Sequence, residues 1–575
     1  MSKVIPEHIK TDVLILGGGL AGCFAAMKAF GHGCKVTVLE KNHVANSGAN
    51  ASGIDHFNYC YIPEIHGPMG LKVEDFVRAH TVVATNVIDQ ELCEMMWQDS
   101  YDRLLDLERT GVKVKFDKIY PWNFGFKPGD YSDDPKYRLV PWEGFPVPAA
   151  LNIEGQFIKA RLGEALRQLG VDVQNYHNTQ DLLTSDGKVV GAIGFNIRTG
   201  GVFTVEAKAV ILATGALTRL FPSQVMFNRL VPPNQTAEGQ TMAFRAGAEL
   251  AVMEQYPWNG KRVLLGDQRL RNWMRSLPAT PSGYPAGRII NAAGEEMPNI
   301  RRNFDQTCNE EVIQRQVEWV KRSIKEGKGI FYWDATMATE EERSYAEWSS
   351  LNEGGGIAFF LQLKSLNASL KTHQIELGSP VIVDVGKPRG FTLTSPSGLT
   401  INIRTETSVP GLYAAGELAY GQHFPSSPWA FTTGSRAGHH AAEYALKAPQ
   451  PEVDQNQIDA ATERLLKPLE KKDGATWQEL NLAVGNIVAN YFRPRAETIK
   501  VGLQYVEDLK KEDVKAGNAH ELMRVMETLS LLSVSEIFMK AALFPINQNE
   551  WRIMRNADGV MQFSKKPIKF KYPIN

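Results

Sequence analysis

Asp12-Val13-Leu14-Ile15-Leu16-Gly17-Gly18-Gly19-Leu20-Ala21-Gly22, with Val36-Thr37-Val38-Leu39-Glu40 close behind it, is the stretch that decides the fold. Val13–Leu16 is short and wholly apolar, as a strand buried on both faces requires. Leu20 to Phe30 is alanine-rich and reads as a helix, which Gly31-His32-Gly33 stops. Val36–Glu40 reads as the second strand, so the chain opens as a βαβ unit. The turn between strand and helix is G-x-G-x-x-G. Gly17 permits the tight turn, Gly19 lets a pyrophosphate approach the backbone, and Gly22 lets helix and strand pack closely. The helix start offers free amides and a partial positive charge to phosphates. Glu40 stands where a carboxylate accepts hydrogen bonds from adenosine ribose hydroxyls. A strand before the motif, a helix after it and an acid about 20 residues on are the context the motif demands. A dinucleotide site is therefore expected, although this motif alone does not separate NAD from FAD.

Beyond this unit, residues 46–70 read as loop, Val73 to Thr110 as helices, 111–150 as irregular and Ile153 to Leu169 as helix. Strands are expected at Lys188–Ile197, Val202–Glu206 and Ala209–Ala213. Residues 255–375 carry clustered Trp, Tyr, Pro and charge with little βα alternation. Strand character returns at Val381–Val385. From about 448 the chain is charged and amphipathic, as in Ile458–Leu469 and Leu522–Leu543, so helices are expected there. The fold class is α/β: a Rossmann-type dinucleotide-binding domain, the FAD-binding domain of the resemblance given below, with an inserted α+β capping domain and a C-terminal helical domain. The boundaries expected are 1–245 and 376–447 for the dinucleotide-binding domain, 246–375 for the cap and 448–575 for the helical domain.

The chain has 575 residues, 43% hydrophobic and 22% charged, with a formal net charge of -1. That length suits about three or four structural units. The charge balance gives no reason to expect nucleic acid or an anionic membrane as partner. Cys23, Cys34, Cys60, Cys93 and Cys308 form no CxxC pair, so no metal site, iron–sulfur or zinc, is expected on this chain. No basic leader followed by a long apolar run opens the sequence, and no stretch reaches about 18 uninterrupted apolar residues. A cytoplasmic protein without direct membrane insertion is expected.

Three further segments identify the nucleotide. Ala213-Thr214-Gly215, Ala237-Glu238-Gly239-Gln240-Thr241-Met242-Ala243 and Pro410-Gly411-Leu412-Tyr413-Ala414-Ala415-Gly416-Glu417 occur in that order. Here the chain resembles the fumarate reductase/succinate dehydrogenase flavoprotein superfamily, whose matching segments include A-T-G and P-G-L-Y-A-A-G-E. The branch it is most similar to is the adenylylsulfate reductase alpha (flavoprotein) subunit. Ser52–Asn58, Val73–Arg78, Asn152–Gly155, Thr432–Ser435 and the tail from Trp551 to Pro567 carry that likeness. The resemblance implies FAD, held by Gly17, Gly19, Leu20, Ala21, Gly22, Glu40, Lys41, Ser47, Gly48, Ser52, Gly53, Ala213, Thr214, Gly215, Glu238, Gly239, Gly416, Glu417, Phe431 and Thr432. The segment 44–53 has no histidine, so noncovalent FAD is expected.

Departures from the superfamily pattern bear on the substrate. Ser395-Pro396-Ser397-Gly398-Leu399 stands where an H-x-x-G-G element would fall, and no arginine follows Gly416-Glu417 at the point where a dicarboxylate clamp would. Ordinary fumarate reduction and ordinary adenylylsulfate reduction are thus not expected. The implied activity is FAD-dependent hydride transfer at flavin N5 with a small polar or anionic metabolite. Asn58 is the first candidate to face the flavin. His423 suits proton transfer, since histidine titrates near neutrality, and His56 lies two residues before Asn58. Arg275 and Tyr284 fall nearest the substrate-facing cap element, and Arg271 and Arg288 are further cap cations. A flavoprotein subunit relaying electrons to an iron–sulfur (ferredoxin-like) partner and a non-catalytic flavin-binding partner are the alternative readings. A homo-oligomer is compatible with all of them.

Overall fold

The computed structural model describes residues 6–84, 86–116, 137–140, 147–217, 219–220, 234–254, 261–264, 288–298, 310–340, 343–344, 348, 351–352, 369, 371–372, 374–378, 381–384, 397–421, 426–492, 495–544, 549–556 and 558–573. The first part contains β1 (Glu7–Leu16), α1 (Leu20–Gly31), β2 (Val36–Glu40), β3 (His56–Phe57), α2 (Pro63–His66), α3 (Val73–Val83), α4 (Gln90–Arg109), β4 (Leu139–Val140), β5 (Ala150–Asn152) and α5 (Ile158–Leu169). Next come β6 (Asp172–Asn175), β7 (His177–Ser185), β8 (Lys188–Asn196), β9 (Val202–Leu212), α6 (Glu238–Arg245), β10 (Leu250–Ala251), β11 (Lys261–Leu264) and β12 (Arg288–Asn291). They are followed by α7 (Glu310–Lys325), β13 (Phe331–Asp334), β14 (Gln374–Gly378), β15 (Val381–Asp384), β16 (Gly398–Leu399) and β17 (Leu412–Ala414). The last part holds α8 (Ser427–Lys447), α9 (Gln455–Glu470), α10 (Trp477–Tyr491), α11 (Ala496–Leu509), α12 (Ala519–Ala541), β18 (Asn549–Arg555) and β19 (Met561–Pro567).

The central sheet runs β6-β2-β1-β9-β8-β7, with β17 also on β9. β1 is parallel to β2 and β9, and β17 is parallel to β9. The carboxyl ends of β1, β2, β9 and β17 therefore share one edge, which is where ligands of such sheets bind. Val13, Ile15, Val38 and Ile211 face α1 and α8, while Leu14, Leu16, Leu39 and Leu212 face the layer containing Met242, Leu399 and Leu531. Both faces are covered, which is why the strands read as unbroken apolar runs. The molecule is thus an α/β Rossmann-type fold with a helical C-terminal region.

Several boundaries differ from the sequence expectation. The strands expected at Val202–Glu206 and Ala209–Ala213 are one continuous strand, β9. Its first half pairs with antiparallel β8 and its second half with parallel β17, so the polar step near Lys208 marks a change of neighbour. α5 begins at Ile158, not Ile153, because the backbone before it is used in pairing: Ile153 N–H donates to Asp55 O (2.9 Å) and Gly155 N–H to Ile54 O (3.1 Å). β6 and β7 were not expected at all; His177-Asn178-Thr179-Gln180-Asp181 is too polar to show a period-two signal. The C-terminal region is not purely helical. β18 and β19 form a hairpin that joins β10 and β16 in a four-stranded sheet, so the chain's tail is stitched to residues 250–251 and 398–399. In the capping region β14 straddles the boundary expected at 375/376, and β15 pairs with β11. Among the described residues no helix is long and apolar enough to cross a membrane.

Candidate cofactor and active site

The turn after β1 is shaped by contacts that no side chain could survive. Gly17 has φ +101°, and a Cβ there would lie 2.5 Å from the Ala213 carbonyl oxygen. A Cβ on Gly22 would lie 1.9 Å from the Gly17 carbonyl oxygen, so α1 rests directly on the turn. Gly19 is the opposite case: a Cβ there meets nothing within 4 Å. The glycine expected to admit a pyrophosphate thus faces open space, and it is the N-cap of α1 with no side-chain cap bond. Glu40 locks the loop from the next strand. Its Oε2 accepts from Gly18 N–H and its Oε1 from Asn42 N–H, both at 2.7 Å. Ser47 Oγ lies 3.4 Å from Gly18 O, and Gly48, at φ +83°, would bring a Cβ within 3.1 Å of Gly19 Cα.

The other end of the site gathers at β9, α6, β17 and α8. Gly239 leaves room for the Thr214 hydroxyl, since a Cβ there would lie 2.1 Å from Thr214 Oγ1. Gly215, at φ +79°, lies against the Gln235 side chain, and its carbonyl accepts from Gln240 Nε2 at 3.4 Å. The Gly416-Glu417 turn is tied to α8: Gly416 N–H donates to Thr433 Oγ1 and Trp429 Nε1–H donates to Gly416 O, both at 2.9 Å. Ser426 caps α8 by accepting from Trp429 N–H at 3.3 Å. Phe57 stacks on Phe431 with ring centroids 5.9 Å apart, which brings the segment carrying Asn58 to the same helix start. Along this edge Thr214 Oγ1, Gln235 Oε1, Gln240 Oε1, Ser427 Oγ, Thr432 Oγ1 and both amide atoms of Asn58 are buried with no hydrogen-bond partner. Each such atom costs about 1–3 kcal/mol if left unsatisfied. Their concentration beside an open glycine loop fits a polar dinucleotide bound there.

Lys41 and Glu238 sit apart from the open loop in a buried charge network. The Lys41 ammonium lies 2.6 Å from Glu238 Oε1 and 2.8 Å from Glu527 Oε1, and Glu527 also meets Arg219 (2.7 Å) and Arg524 (2.9 Å). Burial alone would raise the Glu527 carboxyl, but Lys41, Arg219 and Arg524 outweigh it and hold it below the usual glutamate range. Burial would likewise lower Lys41, and the two carboxylates reverse that.

His56 pairs through Nδ1 with the Asp55 carboxylate, which is fully buried. Asn58 is 1% exposed. Gly53, at φ +111°, has Asn352 O 2.2 Å from where its Cβ would be, so Asn352 lies directly against the loop that leads to His56. Phe431 is core: its ring lies between Phe24 (4.3 Å) and Phe57. Arg288 is committed to Asp334 at 3.0 Å. His423, Arg275 and Tyr284 lie outside the described residues, as does Arg271. Three residues escaped sequence reasoning. Lys159, from α5, is buried beneath the loop and donates to Gly18 O and Cys23 Sγ. Asp55 stands beside His56, an adjacency that could have been noticed. Glu527 is 486 positions from Lys41 and gives no local signal.

The family described as FAD binding domain matches residues 12–328. The chain is 22% identical to one of the subunits of the fumarate reductase (CoM/CoB) of Methanothermobacter marburgensis, over 95% of this chain and 96% of that one. It is 24% identical to the alpha subunit of the adenylylsulfate reductase of Megalodesulfovibrio gigas, over 59% of this chain and 51% of that one. Its fold is similar to adenylylsulfate reductase from Archaeoglobus fulgidus, with a TM-score of 0.76, 20% identity and 99% and 98% of the two chains covered. A quinol fumarate reductase chain from E. coli gives a TM-score of 0.70 at 17% identity, covering 99% and 98%. The cofactor is FAD.

Gly19→Val should leave the fold intact, since its Cβ meets nothing, yet fill the space the pyrophosphate needs. A normal circular-dichroism spectrum with no bound flavin is expected; stoichiometric flavin in the variant would contradict the assignment. Glu527→Gln should cost about 3–5 kcal/mol at neutral pH, because it leaves buried cations uncompensated. The depressed Glu527 contributes stability that is complete above the ordinary glutamate pKa, about 4.3, and lost as pH falls through the lower folded value. The gap between wild type and variant in urea melts should therefore narrow on acidification below about pH 4.

Proposed function

We propose, from the premise that this chain belongs to the FAD binding domain family and is an FAD-dependent oxidoreductase, that it acts on a small polar or anionic metabolite held between the flavin and the capping region. Asn58 carries this reading. It is buried, both its amide atoms lack protein partners, and its segment is held to the start of α8 by the Phe57–Phe431 contact. A buried amide with an unused donor and an unused acceptor is suited to orient a polar group without the desolvation cost of a charge. When bound, FAD supplies the two-electron hydride chemistry.

The loop of Gly17, Gly19 and Gly22 would admit the pyrophosphate and Glu40 would take the ribose. Thr214, Ser427 and Thr432 would supply hydroxyls to the rest of the cofactor. Oxidation of a C–H bond beside an O–H or N–H releases a hydride and a proton, and reduction consumes both. His56 handles the proton. Its Nδ1 pairs with the Asp55 carboxylate, which fixes the ring beside the Asn58 segment. Closure of the cap on Gly53 excludes water from this corner.

A second reading keeps the flavin site and adds an electron-carrying partner. Two relatives are subunits of larger enzymes by name, which favours a second chain. An iron–sulfur (ferredoxin-like) protein is the partner the sequence resemblance implies. Substrate-dependent flavin bleaching by the isolated chain supports catalysis here, with or without the partner; bleaching only when a reduced iron–sulfur protein is supplied supports the relay.

Acid precipitation should release FAD into the supernatant, because the loop 44–53 has no histidine for attachment; colour retained in the pellet would refute noncovalent binding. An anaerobic screen of dicarboxylates, amino acids, hydroxy acids and sulfur oxyanions should find a compound that bleaches or reoxidises the flavin. With that compound, His56→Gln should lower kcat about 10²–10⁴-fold. Flavin content and spectrum should be unchanged. Activity and flavin falling together would make His56 structural instead.

A further inference from the structure

We infer that the far ends of α1 and α8 build a site for a borderline divalent cation such as Zn2+, held by His439, His440 and Glu443 and oriented by His32. The three ligating residues follow one another on α8 as H-H-x-x-E, so His439 and Glu443 are one turn apart and His440 lies beside them. One ligand atom from each lies within 4.8 Å of the others. His439 Nε2 is 3.5 Å from Glu443 Oε1, and His440 Nδ1 is 3.1 Å from Glu443 Oε2. Ligand bonds of about 2.0–2.2 Å at tetrahedral angles place neighbouring ligand atoms about 3.3–3.6 Å apart. The existing spacing therefore receives a cation with modest side-chain rotation, and a water completes the fourth position.

The second observation is the setting of His439. Its Nδ1 lies 2.8 Å from Nε2 of His32, which forms the C-cap of α1. With Nδ1–H donating to His32, the lone pair of His439 is on Nε2, the atom that faces Glu443. A histidine that ligates through one nitrogen and donates through the other is the usual arrangement at a metal site. Arg404 also meets Glu443, but at Oε2 (3.3 Å), so Oε1 keeps its place opposite His439 Nε2. Two imidazoles and one carboxylate suit Zn2+, Co2+, Ni2+ or Cu2+ over Mg2+ or Ca2+. The cysteine pattern pointed away from metal; the signal lay in histidines at helical spacing, completed by one from another helix.

The site stands about 18 Å from the cofactor edge, the length of the 12-residue α1, whose other end is the glycine loop. A cation there would clasp α8 to the cap of α1 that contributes His32, without touching the flavin. Tag-free holoprotein stripped with chelator and titrated calorimetrically with ZnCl2 should bind one Zn2+ per chain, with Mg2+ giving no response. His439→Ala and Glu443→Gln should each weaken binding at least about tenfold, and His32→Ala about tenfold through lost orientation. Zn2+ should raise the melting temperature of the wild type and not of His439→Ala, while flavin content stays the same throughout. No saturable binding, or binding that survives in the His439→Ala/Glu443→Gln double variant, would overturn the inference. Co2+ offers a reading that needs no variant: tetrahedral d–d bands displaced by Zn2+ support the site, and their absence counts against it.

Discussion

The arrangement rests on α1 touching backbone on two sides. On one side Gly22 lies against the Gly17 carbonyl. On the other, Gly434 and Gly438 of α8 lie against the Ala21 and Ala25 carbonyls, where a Cβ would come within 2.3 Å. A single methyl at any of these points would displace the helix, since cores tolerate added volume poorly. This double contact sets the direction of α1, so its first amides open onto the space beside Gly19. It also carries α8, whose start fixes Gly416 through Trp429 and Thr433. Both ends of the cofactor site are therefore positioned by one close helix crossing, in which glycines bring the backbones together and Phe24 packs on Phe431.

A second constraint is electrostatic and acts over long sequence distance. Lys41 follows Glu40 by one residue, yet its ammonium reaches carboxylates on α6 and on α12. The C-terminal helix thus takes part in ordering the strand end that carries Glu40. Buried ion pairs add little net stability over an apolar core, but removing one member leaves a charge without compensation. Arg219 and Arg524 spread the burden around Glu527, so the carboxylate stays ionised despite complete burial. Folding of the C-terminal region and assembly of the nucleotide site are coupled in this way.

How much was legible in the sequence follows from what each residue's neighbours are. Val13–Leu16 and Val36–Glu40 could be placed because a strand buried on both faces is apolar at every position. β9 was read as two strands because its edge partner changes midway, and a sequence window does not see partners. β6, β7 and the β18–β19 hairpin were invisible for the converse reason: polar or exposed side chains erase the periodicity, and pairing with distant strands overrides local preference. In the site, the glycines and Glu40 could be placed because backbone geometry dictates them: Gly17 and Gly22 leave no room for a Cβ, and Glu40 accepts from Gly18 N–H. Lys159 and Glu527 act through tertiary contacts and carry no motif, while Asp55 acts on its sequence neighbour His56. Asn58 was reached by resemblance, and its unpartnered amide adds the physical reason to single it out. His423, Arg275 and Tyr284 rest on the sequence alone.

The corner around Asn58 combines these constraints into a chemical environment. Gly53 must be glycine, both for its φ of +111° and because Asn352 of the capping region occupies the space of its missing side chain. From Gly53 the chain runs through Asp55, His56 and Phe57 to Asn58, and β5 holds it by pairing with β3. Asn352 thus packs against the same short segment that carries the histidine–carboxylate pair and the amide. Polar groups buried without partners are tolerable only if a ligand satisfies them, and a histidine held by a buried carboxylate gains most when water is excluded. Cap contact, buried amide and oriented imidazole therefore depend on one another. Under the proposed function, a substrate seated here would satisfy the Asn58 amide beside an imidazole that Asp55 already orients, in a corner that Asn352 already closes at Gly53.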